Sequence, residues 1–444
     1  MMGGIFGIKS KKQCIDDLLM GIFSLQHRGQ DYCGSVTNGN GKRPLISYRH
    51  EGKVLESFTE DEQKKLLGNY GIGSVHPFYK QPISFESRFG ELSLTYSGKI
   101  LNKRSLKNKL LKRGHPLSIK QTDIEIIGKL ITEQSKATNI VEGLEQMANQ
   151  IYGVYSLGIL AQEGLYCMRS PVGVEPLIVG NNEDIMAFSS EYCALKELWL
   201  KPEQCKDVKP GEIVFISDEG IECVRQLNGM AALCGFEPGY WGRIDSIIDG
   251  ISVKLMRDRA GKILGEEDKK RGFKPDIVIP VRDSGTGYCL GYAHTLGVYD
   301  EGLFKNWYVL RTFLEKTKKA RIKGANRKQS VIIDAVKDKK IVVVDDSIRE
   351  GATMRNKLIP LIRWGGAKEI HVRIGSPENK YNCKYSIFPK GRGKLLSAGK
   401  TKEEQMEYIG ADSLEFISLE GYTEALGVPS EDVCLGCWTN KFPI

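Results

Sequence analysis

Ile341–Thr353 reads IVVVDDSIREGAT: four apolar β-formers run into two adjacent carboxylates, then a short polar loop with one glycine, then a helical pattern. A strand that ends in acid and turns into a helix is where open α/β sheets hold their ligands. Backbone N–H groups of such a loop, and of the helix start behind it, present donors to a phosphate. Asp345 and Asp346 repel a phosphate but suit sugar hydroxyls or, through water, a magnesium ion. The bland alternative is a strand that simply ends in a solvated acidic turn.

The surroundings favour the first reading. Apolar strands at Asp276–Val281, Lys340–Val344 and Glu369–Ile374 alternate with helical patterns at Gly285–Leu296 and Thr353–Gly366. That rhythm predicts βαβ units around a parallel sheet. Upstream of about residue 226 it differs: Tyr70–His76, Leu92–Tyr96, Val154–Ala161 and Glu212–Ile216 are short strands between glycine-bearing turns. Amphipathic stretches at Asp123–Glu133 and Ile140–Gln150 interleave with them, which predicts antiparallel sheets layered with helices. Two domains follow, 1–228 and 229–444, with a new helical pattern expected to begin near Gln226–Ala231.

Composition narrows the class. A chain of 444 residues, 41% hydrophobic and 27% charged, has enough apolar residues for two cores. No stretch approaches the ~18 apolar residues of a membrane span, and no leader pattern opens the chain, so a cytoplasmic location without membrane contact is expected. The net charge of +9 reads as solvated lysines, and a nucleic-acid partner would rest on that charge alone. Basic residues concentrate only at Lys316–Lys328, which equally suits a small polyphosphate. Eleven cysteines in a reducing compartment do not read as disulfides. Cys14, Cys33, Cys167, Cys193, Cys205, Cys223 and Cys289 read as isolated buried thiols. Cys434 and Cys437 form a CxxC, and with Cys234 and Cys383 they suit either zinc or an iron–sulfur cluster.

The loop at Ile341–Thr353 resembles the phosphoribosyl-diphosphate motif of type I phosphoribosyltransferases. DSIIDGISV (245–253), VIPVRDSGTGYCLGYA (278–293), EGLFKNWYVLRTF (301–313), GAKEIHVRIGSP (366–377) and CLGCWTNKFP (434–443) extend the likeness to the amidophosphoribosyltransferase family. LQHRGQDYCGSV (25–36), SSEYCAL (189–195) and DVKPGEIV (207–214) resemble that family's N-terminal-nucleophile glutaminase domain. The fold implied is an αββα sandwich followed by a parallel sheet with helices on both faces.

The resemblance also implies roles. Asp345 and Asp346 would hold the ribose, and Ser347, Ile348, Arg349, Glu350, Gly351, Ala352 and Thr353 the 5′-phosphate of phosphoribosyl-diphosphate. Asp283, Ser284 and Gly285 would face the pyrophosphate. Ser284, Asp345 and Asp346 would meet magnesium directly or through water. Lys305, Tyr308 and Arg311 would open the loop that closes over the reacting centre. Cys234, Cys383, Cys434 and Cys437 match the ligands of the family's iron–sulfur branch, which implies a [4Fe–4S] cluster. A tetramer and inhibitory purine nucleotides are implied as well.

Departures from the pattern matter equally. The family opens MCGIFGI, whereas this chain opens MMGGIFGI, so Gly3 stands where the nucleophilic cysteine belongs. His76, Ser97 and Glu175 replace an arginine, an asparagine and a second arginine of the family, while Gly98 and Asp123 remain. Glu350 puts an acid in the phosphate loop, and Trp307 replaces an arginine in KNRY. These departures lead to an expected transferase that uses ammonia or another amine and has no glutaminase activity. The alternative is a non-catalytic regulatory paralogue in a mixed oligomer with a complete enzyme.

Overall fold

The computed structural model describes residues 3–41, 45–118, 122–132, 137–306, 329–385 and 394–444. Tyr308, Arg311 and the basic run at 316–328 lie outside the described residues.

Two antiparallel sheets build the first half. One has seven strands, ordered Cys205–Asp207, Ile178–Asn181, Ile185–Ser189, Gly4–Ser10, Tyr70–His76, Tyr32–Thr37 and Ile46–Glu51. The other has six: Gly220–Gln226, Glu212–Ser217, Leu165–Arg169, Gly153–Leu160, Gly90–Ile100 and Ile83–Ser87. Strand alternation explains the layering, because neighbouring residues face opposite sides. Ile5 enters the core between the sheets with Ile72, Phe188 and Val214. Phe6 and Ile8 instead pack outward beneath the helices Ile15–Ser24 and Tyr192–Lys196. On the far side Leu94 and Tyr96 pack against Ile124, Ile127 and Leu130 of the helix Asp123–Thr132. The result is the expected αββα sandwich.

In the second half Ile277–Pro280, Lys340–Asp345, Glu369–Ile374 and Ser413–Phe416 lie side by side, all parallel. Val342 and Val344 face the helices Val253–Lys270 and Thr286–Leu296 through Met256, Tyr288 and Tyr292. Ile341 and Val343 face the opposite way, onto Leu358, Ile359 and Ile362. All four are fully buried, which accounts for the unbroken apolar run before the acidic pair.

Three expectations need correction. No helix begins at Gln226–Ala231: Met230–Ala231 pairs with Val172–Gly173, Leu233–Cys234 pairs with Val433–Cys434, and the first α-helix beyond them is Val253–Lys270. The apolar residues there serve short junction strands. Next, the helix expected over Thr353–Gly366 is wound as a π-segment at Met354–Leu358 before the α-helix Ile359–Trp364. Pro360 lacks the N–H that an uninterrupted α-helical ladder would use. Finally, Cys223 is exposed and Cys205 half-buried, because their strands border the sandwich.

Candidate active site

The strand Lys340–Asp345 delivers Asp345 and Asp346 to the carboxyl edge of the parallel sheet, 8% and 4% exposed. Ser284 Oγ donates to Asp345 Oδ1 at 3.3 Å, and the Asp346 amide donates to the same oxygen at 2.9 Å. Ser347 Oγ donates to Asp346. Burial, and then the neighbouring Asp346 charge, push the Asp345 carboxyl well above the usual carboxylate range. Two buried carboxyl groups side by side favour a cation or hydroxyl donors in front of them.

The turn Arg282–Gly285 closes one side. Gly285 N donates to Val281 O at 2.8 Å, and Asp283, exposed, forms an ion pair with Lys305. Arg282 pairs with Glu301, while its carbonyl accepts from Gln329 Nε2 at 3.0 Å. The loop Ser347–Thr353 closes the other side. Ile348 anchors it in the core, and Gly351 turns it with φ of 73°, a conformation that side-chain-bearing residues seldom take. The Arg349 carbonyl accepts from Leu396 N at 2.8 Å. Arg349, Ala352 and Thr353 are exposed, Ser347 and Glu350 half-buried. Asp283, Ser284, Gly285, Lys305, Asp345 and Asp346 thus sit within one connected set of contacts.

A second site lies in the sandwich, and it is filled from within. A Cβ placed on Gly3 would stand 2.5 Å from Val75 O and 2.7 Å from His76 Cδ2. His76 is 3% exposed; its Nδ1 accepts from Phe78 N and Tyr79 N, and burial lowers its pKa to about 3. Ser97 Oγ lies 2.9 Å from the Gly3 carbonyl and 2.8 Å from Glu175 Oε2. Burial, and then Glu237, raise Glu175 to about 7. Asp123 accepts from Ile100 N at 3.1 Å and pairs with Lys103 at 2.8 Å. Arg28, fully buried, donates to the Gly3 carbonyl at 3.3 Å, to Glu191, and to both oxygens of Glu237 at 2.9 Å.

A model described as a glutamine amidotransferase domain matches residues 76–197. The amidophosphoribosyltransferase of Methanocaldococcus jannaschii is 36% identical over 470 positions, covering 100% of this chain and 98% of its own length. The chain belongs to the amidophosphoribosyltransferase family. The Bacillus subtilis amidophosphoribosyltransferase is 34% identical over 99% of this chain and 94% of its own. A solved glutamine phosphoribosylpyrophosphate amidotransferase from B. subtilis, complexed with ADP and GMP, superposes with a TM-score of 0.90. It is 33% identical and covers 99% of this chain and 97% of its own. A structure described as the allosteric regulatory enzyme of purine biosynthesis also reaches 0.90, at 32% identity, covering 99% and 96%.

In this family member the four singled-out cysteines gather at the junction of the halves. Cys234 and Cys434 are cross-strand partners, and Cys383 borders the same apolar cluster. Contact with Cys383, and then burial, hold the Cys437 thiol well above its ordinary range; burial does the same for Cys234. Thiols that resist ionisation because they are buried against one another, as Cys234 and Cys437 are, present the condition a bound cation relieves. Among the described residues, no three His, Cys, Asp or Glu side chains converge as ligands of one ion. No described helix is long and apolar enough to cross a membrane.

Sequence reading missed the Arg28–Glu191–Glu237 clamp and a second one, in which Arg169, 2% exposed, grips Asp249 through both nitrogens at 2.6–2.7 Å. LQHRGQ gives no local sign of the first clamp, because Gln26, His27 and Gln30 around the arginine are polar and half-buried; only its burial shows that Arg28 needs anionic partners.

Proposed function

We propose that this chain is an amidophosphoribosyltransferase that uses ammonia rather than glutamine. The carrying observation is the contrast between its two sites: the Asp345–Asp346 edge faces open turns, while the glutaminase slot at Gly3 has no room for a nucleophile. In the reaction nitrogen bonds to C1 of phosphoribosyl-diphosphate, the C1–O bond to pyrophosphate breaks, and its electron pair leaves with pyrophosphate. Nitrogen then sheds a proton.

Asp345 and Asp346 bind the ribose hydroxyls, and the loop Ser347–Thr353 orients the 5′-phosphate. Asp283–Gly285 positions the leaving group, with Lys305 at hand to neutralise it. Ser284, Asp345 and Asp346 would hold magnesium, which when bound supplies charge stabilisation to the departing pyrophosphate. Cys234, Cys383, Cys434 and Cys437 fit a [4Fe–4S] cluster, whose thiolates attach to different irons and stand further apart than the ligands of one zinc. A cytoplasmic homotetramer inhibited by purine nucleotides accords with the family, given the ADP and GMP in the B. subtilis structure.

Mixing the protein with phosphoribosyl-diphosphate and magnesium should release pyrophosphate with ammonium salts, and release no glutamate from glutamine. Pyrophosphate release with glutamine but not with ammonium overturns this reading. Glu350, half-buried in the phosphate loop, favours a second one: a regulatory paralogue that binds phosphoribosyl-diphosphate and partners a complete enzyme. Binding without pyrophosphate release under any amine would select it. Anaerobically purified protein should be brown with about four irons per chain; colourless protein with stoichiometric zinc contradicts the cluster.

A further inference from the structure

The hairpin of Leu303–Lys305 and Gln329–Val331 stands beside the pyrophosphate turn, and strand alternation sorts its side chains. Leu303 is buried, and Val331, opposite it, packs against the same core. Phe304 and Ser330, the next pair, face solvent. Lys305 and Gln329, the last pair, return to the inner face and both reach the turn. Lys305 forms its ion pair with Asp283, and Gln329 Nε2 donates to the Arg282 carbonyl at 3.0 Å. Gln329 is 6% exposed, and that is the one side-chain hydrogen bond it makes among the described residues. Its Oε1, also buried, accepts no hydrogen bond among them. A buried acceptor without a partner costs free energy that a leucine of similar volume would avoid. Packing therefore does not account for a glutamine at this position; the bond to Arg282 does.

That bond acts on the turn. The Arg282 carbonyl and the Asp283 amide belong to one planar peptide unit, so fixing the oxygen fixes the direction of the N–H. Neither the Asp283 amide nor the Ser284 amide donates a hydrogen bond among the described residues, whereas the Gly285 amide is bound to Val281 O. The Gly285 end is held independently, since a Cβ there would stand 2.4 Å from Val344 O. Two donor amides between fixed ends make a cradle for phosphate oxygens. We propose that Gln329 is a positioning residue for the pyrophosphate end of phosphoribosyl-diphosphate, acting through the Arg282 carbonyl on the Asp283 and Ser284 amides. This role rests on the transferase reading, in which the turn meets the leaving group.

Calorimetry on the full-length protein, with magnesium pyrophosphate and separately with ribose 5-phosphate, probes the two ends of the substrate apart. Gln329→Leu should bind pyrophosphate about five- to tenfold more weakly, as one lost hydrogen bond implies, and ribose 5-phosphate as the parent does. Its melting temperature without ligand should match or exceed the parent's, because the orphaned acceptor is gone. Gln329→Met, unbranched and also without a donor, should repeat the pattern. In steady-state kinetics KM for phosphoribosyl-diphosphate should rise by a similar factor while KM for ammonium stays unchanged. Unchanged pyrophosphate affinity in both variants, or an equal loss for both ligands, overturns the role of Gln329 and leaves the transferase reading intact. A parent protein that binds neither ligand sinks both. Selective loss of pyrophosphate binding, in a protein whose parent releases no pyrophosphate under any amine, upholds Gln329 and sinks the catalytic reading.

Discussion

The two pockets of this chain use the same chemical material to opposite ends. At the sheet edge, Asp345 and Asp346 lie side by side with hydroxyl and amide neighbours but no cationic side chain bonded to them among the described residues. In the sandwich, Glu191 and Glu237 are spanned by Arg28, and His76 occupies the space beside Gly3. Buried carboxylates left facing an opening ask for a ligand; buried carboxylates already paired hold structure together. The difference lies in what stands opposite the acid, and Glu175 falls between the two cases.

The sharpest way to break this contrast is Asp346→Ala. Phosphoribosyl-diphosphate with magnesium should raise the melting temperature of the parent protein and leave that of the variant unmoved. A preserved shift would mean that the acidic edge is not the ribose site.

Glu175→Gln should next reveal itself through pH. The folded carboxyl binds its proton more tightly than the unfolded one, with a pKa of about 7 against the ordinary 4.5. Its contribution to stability is therefore fully present below the unfolded value and lost as pH rises towards about 7, beyond which it is constant. At pH 8, in potassium salts, the glutamine variant should be more stable by at most about 3 kcal/mol. Denaturant titrations at pH 5 and pH 8 measure it, and a variant less stable at pH 8 would show that Glu175 is already paired.

Gly3→Cys should restore no glutamate release and should destabilise the fold by about 1–3 kcal/mol, because its Cβ enters occupied space. A stable, glutamine-hydrolysing variant would refute the filled-slot account. The smallest effect belongs to Glu350→Arg, where replacing repulsion by attraction in a half-exposed loop should tighten phosphoribosyl-diphosphate by on the order of 1 kcal/mol. Calorimetry reads it directly.

Much of the architecture was legible because apolar period and burial coincide. Tyr70–His76 and Glu369–Ile374 are strands over the ranges their β-branched runs indicate, and the strand through IVVV ends on the first of its two acids, one residue past the expected Val344. Motif residues such as Ser284 and Asp345 were legible too, since they lie in segments short enough to read as units, and the structure joins them by a hydrogen bond. Long-range polar pairing was not. Arg28 and Glu237 are 209 positions apart, and nothing local distinguishes a glutamate destined for a buried guanidinium from one on the surface. The π-segment at Met354–Leu358 was invisible for a similar reason: its side-chain pattern serves either winding.

The pairing of Leu233–Cys234 with Val433–Cys434 ties the start of the second half to its final residues. About two hundred residues lie between the paired cysteines, so closing this loop costs about 5 kcal/mol of chain entropy on folding, a cost that only a link persisting in the unfolded chain would remove. It also sets a timetable. A ribosome delivers Cys434 after every strand of the parallel sheet, so that sheet can form before the corner is closed. Chains truncated before Val433 would never complete it and would leave the Leu233–Cys234 strand without its partner.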